Sequence, residues 1–287
     1  MNSNSNSLAT TLSIAEPTTA DAVSSTRDQA AEETAVRSFR FWEIDMLRGI
    51  AIIMVVIYHL AWDLYALAGW DINLFGGFWH YFQRVTANTF IILVGVSMTV
   101  SYRRARQAMG PDVKIFPKYL RRGVTLLAWG MSISLVTWLA LGKGYVQFGI
   151  LHFIGLSIII AYPLLRFRYL NLALALVVFF LLPPLVNAIA VNNTALVWLG
   201  ISPPGYYAVD YFPLIPWFSG ILLGLFLGNW LYSADGRRFL LPDWSQVPGV
   251  GFLQLLGRHT LLIYLIHQPI VIALLILTGV VDIGALL

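Results

Sequence analysis

The sequence predicts an all-α membrane protein, a bundle of about seven transmembrane helices. Hydrophobic residues make up 58% of the 287 residues and charged residues only 11%, whereas a soluble globular domain carries about 25% charge. Seven stretches approach the roughly 20 mostly apolar residues that a helix needs to cross a bilayer. Lys and Arg are concentrated in every second loop between these stretches, as they are in multi-pass membrane proteins.

Each apolar stretch is predicted to be helical because the hydrocarbon offers the backbone no other hydrogen-bond partner. The segment from Gly142 to Gly144 predicts a tight turn between the third and fourth spans, and Pro183 and Pro184 predict a kink or an end in the fifth. No internal repeat is apparent. The predicted spans cover residues 46–67, 86–102, 120–141, 147–165, 169–190, 212–232 and 259–279.

Residues 1–38 differ in composition from the rest of the chain. They are rich in Ser, Thr, Asn and Ala, and no apolar run follows a basic start, so they do not resemble a signal peptide. Such a segment buries too little apolar surface to fold alone. We therefore predict a disordered cytoplasmic tail over 1–38 and a membrane domain over 39–287.

The distribution of the 18 Lys and Arg residues predicts the orientation. With the N-terminus in the cytoplasm, only Arg84 and Lys143 fall outside, and the other sixteen lie inside. This positive-inside asymmetry predicts a multi-pass protein of the bacterial inner membrane with a cytoplasmic N-terminus. The cytoplasmic set includes Arg37, Arg40, Arg48, Arg103, Arg104, Arg106, Lys114, Lys118, Arg121, Arg122, Arg166, Arg168, Arg237, Arg238 and Arg258.

An ionisable pair inside the first span is the strongest candidate for chemistry. Ionisable residues in a bilayer are costly and are functional candidates by default. His59 and Asp63 are four residues apart and so share one helix face. The carboxylate can orient the imidazole, as a base and its orienting partner require. The competing interpretation is a polar pair that only holds helices together.

Four further groups of polar residues are candidates for the site, and they are predicted to lie in the outer half of the membrane or inside the last span. One polar cluster facing an external substrate is the simplest common explanation for the outer ones, although each also has a structural interpretation. Pro269 frees a backbone carbonyl that the two side chains before it could satisfy, which favours a structural role there. These candidates are His80 with Arg84, His152, Asp210, and His267 with Gln268.

The loop over 103–122 holds seven basic residues that could bind phosphates or anionic lipid, or could serve only as an orientation signal. The chain has no cysteine, which excludes disulfide and thiolate chemistry. No zinc-ligand spacing, Gly-rich phosphate loop or Ser-His-Asp order is present, so we predict no metal. Nucleic-acid binding is not expected, because the basic residues lie between apolar spans.

Five stretches resemble a known family. FWEIDMLRGIAIIMVVIYHLAWDL (41–64) resembles the first span of bacterial proteins similar to the catalytic domain of heparan-α-glucosaminide N-acetyltransferase, within the wider group of transmembrane acyltransferases. FIILVGVSMTVSYRRA (90–105) and VQFGILHFIGLSIIIAYPLL (146–165) resemble its second and fourth spans. DYFPLIPWFSGILLG (210–224) and LGRHTLLIYLIHQPI (256–270) resemble its closing motifs.

The resemblance implies transfer of an acyl group, expected to be acetyl, from cytoplasmic acyl-CoA to a sugar at the far face. His59 matches the catalytic histidine of the wider acyltransferase group, whereas the heparan enzyme has an asparagine there and its histidine follows later, loosely at His80. Which histidine acts, and whether the acceptor is an amine or a hydroxyl, is left open. Arg103, Arg104, Arg121 and Arg122, with Arg48, would hold the CoA phosphates.

Three functions therefore compete. The first is an acyltransferase with acetyl-CoA as co-substrate and a glycan or cell-envelope acceptor, in which His59 is a general base or a transiently acylated nucleophile. The second is a transporter that uses the same histidines as a proton relay, against which the lack of apparent repeats argues mildly. The third is a membrane scaffold, which leaves His59 and Asp63 unexplained.

Overall fold

A computed structural model describes residues 41–110, 114–233 and 236–282. The predicted tail, which includes Arg37, lies outside the described residues, and so does Arg40. Nine α-helices occur in the described part: α1 Trp42–Ala66, α2 Gly77–Met109, α3 Phe116–Leu141, α4 Ile150–Ala161, α5 Tyr169–Leu176, α6 Leu182–Asn187, α7 Leu214–Leu231, α8 Pro248–Arg258 and α9 Thr260–Leu277.

The predicted helical membrane bundle is confirmed. Within the described residues, six helical stretches are long and apolar enough to cross a bilayer: α1, α2, α3, the continuous stretch Tyr169–Asn187, α7 and α9. The fourth predicted span is a shorter apolar helix, α4, which a 3-10 turn extends to Leu164. Apolar side chains cover much of the outer surface of the bundle, because lipid is their solvent.

The stretch Tyr169–Asn187 is interrupted in the region where prolines predicted a kink. A π-helical turn over Val177–Leu181 separates α5 from α6, and Pro183 and Pro184 lie in the first turn of α6. Proline lacks the amide that a continuous helix would use and clashes with the preceding turn. The irregular turn directly before them is consistent with that cost.

Helices α2 and α7 run parallel and touch along a seam of glycines. A Cβ on Gly95 would lie 2.4 Å from the carbonyl oxygen of Ile221, and one on Gly224 would lie 2.3 Å from that of Ile92. One turn further, Gly228 meets Thr99. Only glycine permits such close approach of two backbones, so these residues set the spacing of the central pair.

The interhelical contacts define two ends of the bundle. Arg103 of α2 meets Asn229 of α7 at the end where α1 begins, which we name the near end. At the opposite end, which we name the far end, α4 begins against α3, with His152 packed on Gly130. Alternate spans therefore run in opposite directions, as the positive-inside prediction requires.

Helix α8 was not predicted. It is an 11-residue helix that packs against the first turns of α1. A Cβ on Gly257 would lie 1.8 Å from the carbonyl oxygen of Asp45, and one on Gly49 would lie 2.0 Å from that of Leu253. The two backbones are therefore in direct contact.

Candidate functional site

The centre of the candidate site is a pair of histidines from the first and last spans. The rings of His59 on α1 and His267 on α9 have centroids 4.7 Å apart and meet edge to face at 83°. His267 is 6% exposed, and His59 is half-buried. Sequence reasoning singled out both residues but did not place them together.

Both histidines are held in the same tautomer by the backbone of their own helix. Nδ1 of His59 lies 2.9 Å from the carbonyl oxygen of Val55, and Nδ1 of His267 lies 2.6 Å from that of Tyr264. Because a carbonyl only accepts, each Nδ1 carries the proton. Each neutral ring therefore keeps an unprotonated Nε2, and that of His267 is buried with no hydrogen-bond partner in the described part of the chain.

Asp63 takes a different partner from the one expected. Its Oδ1 accepts a hydrogen bond of 2.7 Å from Nε2 of Gln268, and no described hydrogen bond joins it to His59. The expectation that Asp63 directly orients His59 is therefore not supported; the backbone carbonyl of Val55 does so. Asp63 is 2% exposed, and its Oδ2 has no hydrogen-bond partner among the described residues.

Neither side chain before Pro269 serves the carbonyl that the proline frees. His267 donates to the carbonyl of Tyr264, and Gln268 reaches across to α1. The contacts therefore do not support the structural role predicted for His267 and Gln268, which was to satisfy the carbonyl freed by Pro269. Asp63, His267 and Gln268 each have one buried polar atom that finds no hydrogen-bond partner in the described part of the chain, and such atoms are costly unless something polar binds them.

The histidine pair lies within the depth of the bundle. His59 precedes the end of α1 at Ala66 by about 10 Å, given a rise of 1.5 Å per residue. Tyr264 packs on the near side of the pair: its ring lies 5.4 Å from that of His267, and it precedes His267 by one turn on α9, which begins at the near end. An acceptor from the far side must therefore enter the bundle to reach His59.

Asp210 lies in the far-end loop before α7 and caps α4. Its Oδ2 accepts a hydrogen bond of 3.0 Å from the amide of Ile150, the first residue of that helix. Burial raises the pKa of Asp210 to about 6, and the Ile150 amide opposes the rise. Its ionisation therefore costs stability in the folded protein: the cost is absent below the ordinary aspartate pKa of 3.8, grows as the pH rises from there to about 6, and is fully present above 6.

His152 and His80 do not join the histidine pair. Both ring nitrogens of His152 are used, because Nδ1 accepts from the amide of Gly149 at 3.3 Å and Nε2 lies 3.4 Å from Oγ of Ser134. This arrangement favours a structural role. His80 lies in the first turn of α2 at the far end, and no described contact joins His80 or Arg84 to His59. The expected single outer cluster is thus divided into separate groups.

A charged cluster at the near end lies on the same helix as His59. Nη1 of Arg48 lies 3.0 Å from Oδ1 of Asp45, and Nε of Arg258 lies 3.8 Å from Oδ2 of the same carboxylate. Arg48 also donates to Oγ of Ser97 on α2. Arg48 precedes His59 by three turns, about 16 Å, and lies within about 20° of the same helix face.

Arg103 serves the fold and not an open phosphate site. It donates to Oδ1 of Asn229 at 2.8 Å and to the carbonyl of Tyr232. Asn229 in turn donates to the carbonyls of Leu165 and Phe167, which end the α4 segment. Arg121 and Arg122 are exposed on α3, which packs mainly on α4, so the predicted phosphate group of four arginines does not form one site with His59.

Replacing Arg103 with glutamine is expected to lower the free energy of unfolding by about 2 kcal/mol, because hydrogen bonds from a charged donor are worth about 1.5–3 kcal/mol. Arg121→Gln is the matched control and should change it by less than about 0.5 kcal/mol, because Arg121 is exposed. Thermal denaturation of both purified variants in detergent measures the difference. Equal melting temperatures would show that the Arg103 network does not support the fold.

Among the residues that the structure describes, no group of three or more His, Asp or Glu could hold a metal ion. The site residues that sequence reasoning missed are Val55 and Tyr264, whose carbonyls fix the two tautomers. The type of a residue does not show whether its backbone carbonyl takes part in a site. Only their positions, four or three residues before a histidine on a helix, could have indicated Val55 and Tyr264.

Residues 40–269 match the family model described as heparan-alpha-glucosaminide N-acetyltransferase, catalytic. This range contains the histidine pair, Asp63, Gln268 and the near-end cluster. No curated protein and no solved structure matches the chain significantly. Because the matched range covers most of the 287 residues, the chain belongs to the heparan-alpha-glucosaminide N-acetyltransferase catalytic-domain family.

Proposed function

We propose that the protein is an integral-membrane acetyltransferase that moves an acetyl group from acetyl-CoA to the amine of an amino sugar in a glycan or envelope component. The family match supports a membrane acetyltransferase-type activity. The observation that carries the proposal is the unprotonated Nε2 of His59, held in place beside His267 and Asp63. A base in this state is what acyl transfer to an amine needs.

The donor reaches His59 from the near end. Arg48 and Arg258 flank Asp45 with side chains 27% and 43% exposed, and guanidinium groups bind phosphates by charge-assisted, often bidentate hydrogen bonds. Arg48 shares a helix face with His59. A CoA whose phosphates bind at Arg48 could therefore extend its thioester along α1 toward His59. In the proposed orientation, with a cytoplasmic N-terminus in a bacterial inner membrane, this end meets the cytoplasmic acetyl-CoA pool.

The chemical step uses His59 as a general base. The acceptor nitrogen attacks the thioester carbonyl, a C–N bond forms, and Nε2 of His59 takes the proton that the nitrogen loses. The C–S bond breaks, and the CoA thiolate takes that proton from His59, which returns the ring to its neutral state. General-base assistance of this kind contributes about 10²–10⁴-fold in rate. Transient acetylation of the same Nε2 is the rival route; it predicts exchange of labelled CoA into acetyl-CoA without acceptor.

Asp63 supports an amine as the acceptor. A carboxylate that is 2% exposed and has no cationic partner among the described residues is costly in a bilayer. The ammonium form of an amino sugar would supply the missing charge and bond to Oδ2, and would then transfer one proton to that oxygen to give the neutral amine that attacks. A neutral hydroxyl acceptor would leave the charge unbalanced.

Asp63→Asn should therefore raise the Michaelis constant for glucosamine about 10-fold, since a hydrogen bond to a charged group is worth about 1.5–3 kcal/mol. The constant for acetyl-CoA should stay the same, and turnover should fall less than in His59→Ala. Gln268→Met is the matched control, because it removes the hydrogen bond to Asp63 and keeps the charge. An unchanged glucosamine constant in Asp63→Asn would separate Asp63 from acceptor binding.

The activity itself is tested with wild-type protein in lipid nanodiscs, radiolabelled acetyl-CoA, and glucosamine or envelope glycan as acceptor. Acceptor-dependent release of CoA, with the label recovered on the amine, is the expected result. Absence of acetyl transfer to every amino sugar and glycan tested, with well-folded protein, would contradict the proposed function.

A further inference from the structure

The segment that leads into and includes α8 exposes a row of apolar side chains at the near end. Helix α8 has 11 residues and is about 16 Å long, too short to cross a hydrocarbon layer of roughly 30 Å. Its outward residues Phe252 and Leu255 are nevertheless 58% and 51% exposed. Before the helix, exposed apolar residues continue at Leu240, Trp244 and Val247.

The apolar face cannot turn inward. On the opposite side of α8, Gly257 is in backbone contact with Asp45, and the backbone of Leu253 is in contact with Gly49. Gln254 on this side is buried and donates to the carbonyl of Ser245. The packing on α1 therefore fixes which face of α8 points away from the protein.

The charges beside this face are mostly basic. Arg238 is exposed and makes no described side-chain hydrogen bond or ion pair, and Arg258 is 43% exposed with its Nε 3.8 Å from Asp45. The acidic residue of the segment is Asp243, which is bonded to the amide of Ser245. The surface thus combines an apolar row with cations able to meet an anionic layer.

We infer that α8 and its preceding loop, residues 239–258, lie in the membrane interface, with Phe252 and Leu255 in the acyl region and Arg238 at phospholipid phosphates. Continuity supports lipid as the occupant, because α9 begins at Thr260, two residues after α8 ends, and is itself long and apolar enough to enter the bilayer. An amphipathic helix with a Trp beside it and basic residues at its border is typical of interfacial segments.

This inference does not depend on acetyl transfer. It gives α8 a mechanical role, because the helix that contacts lipid also contacts the first turns of α1 at Asp45 and Gly49. The lipid surface would thereby hold the near end of the helix that carries His59. An anionic leaflet attracts nearby basic residues, so removal of Arg238 should weaken the preference for anionic lipid.

The chain has no cysteine, so single-cysteine labelling is direct. Phe252→Cys and Leu255→Cys are each labelled with the fluorophore NBD in the full chain and reconstituted into phosphatidylcholine vesicles with or without phosphatidylglycerol. Blue-shifted emission and quenching by nitroxide-labelled lipid are expected at both positions. Asp243→Cys is the control and should be quenched by aqueous iodide, because Asp243 is the exposed acidic position of the segment and should face the water side of the interface.

The charge contribution is tested by adding Arg238→Gln to the Phe252→Cys protein, which should reduce the extra blue shift that phosphatidylglycerol gives. Labels at 252 and 255 that remain in water and are quenched by iodide would overturn the inference. Protection that rises with protein concentration and persists in detergent would also overturn it, because a second copy of the chain would then cover the face. Either labelled position alone is sufficient if the other variant fails to fold.

Discussion

Replacing His59 with alanine is expected to reduce acetyl transfer by about 10²–10⁴-fold, the usual contribution of a positioned general base. Its Nε2 is the unprotonated nitrogen beside His267. Membrane insertion and the elution profile in detergent should not change, because His59 is half-buried and its hydrogen bond is to its own helix. Initial rates of CoA release with glucosamine as acceptor give the measurement.

His259→Ala is the matched control for this experiment. Nδ1 of His259 lies 3.0 Å from the carbonyl of Leu255, the same local arrangement as in His59, but the ring is exposed at the near end. Its loss should leave the rate within about twofold, because it touches none of the residues at the histidine pair. If His59→Ala retained turnover, the role of general base would have to be assigned to His267 or His80, and the central role proposed for His59 would be wrong.

Replacing Gly257 with alanine is expected to destabilise the protein more than any other single methyl addition in α8. The new Cβ would lie 1.8 Å from the carbonyl oxygen of Asp45, and because that atom belongs to the backbone, α8 must move away from α1. Overpacking typically costs about 1–3 kcal/mol and occasionally more. We expect a lower melting temperature in detergent and a matching loss of activity, since the Asp45 cluster loses its alignment.

Gly251→Ala in the same helix should instead stabilise the protein. Nothing lies within 4 Å of the position of its Cβ, so the substitution should add up to about 1 kcal/mol through the better helix propensity of alanine. The pair of variants separates close packing from propensity, because both change one hydrogen to a methyl group. Equal melting temperatures for the two would mean that α8 does not contact α1 as described.

The long spans could be predicted from sequence because lipid imposes a length and a composition that a single run of residues displays. Helix α8 could not, because its 11 residues fall short of any spanning window and three of them are glycine, which disfavours helices. The contact with α1, which requires glycine at position 257, stabilises the helix. Similarly, the apolar run 147–165 concealed how early α4 gives way to a 3-10 turn at Tyr162.

The candidate site was predictable one helix at a time. The costly polar residues of α1 and α9 could be recognised within their own spans, but the hydrogen bond between Asp63 and Gln268 joins positions 205 residues apart. Nothing in either stretch specifies which neighbour it meets. The same limit explains Arg103, which seemed available for phosphate until its contact with Asn229, 126 residues away, was known.

The glycine seam between α2 and α7 restricts how the protein can move. If α7 slid along α2 by one residue, side chains with a Cβ would meet the carbonyl oxygens that now face Gly95 and Gly224, positions where a Cβ would lie less than 3 Å from those oxygens. The two helices therefore behave as a single rigid body under any motion that keeps the bundle packed. Passage of substrates to His59 must then depend on small displacements of α1 and α9 against this fixed pair, and substitutions at the boundary between them should alter rates of substrate entry without altering the chemistry.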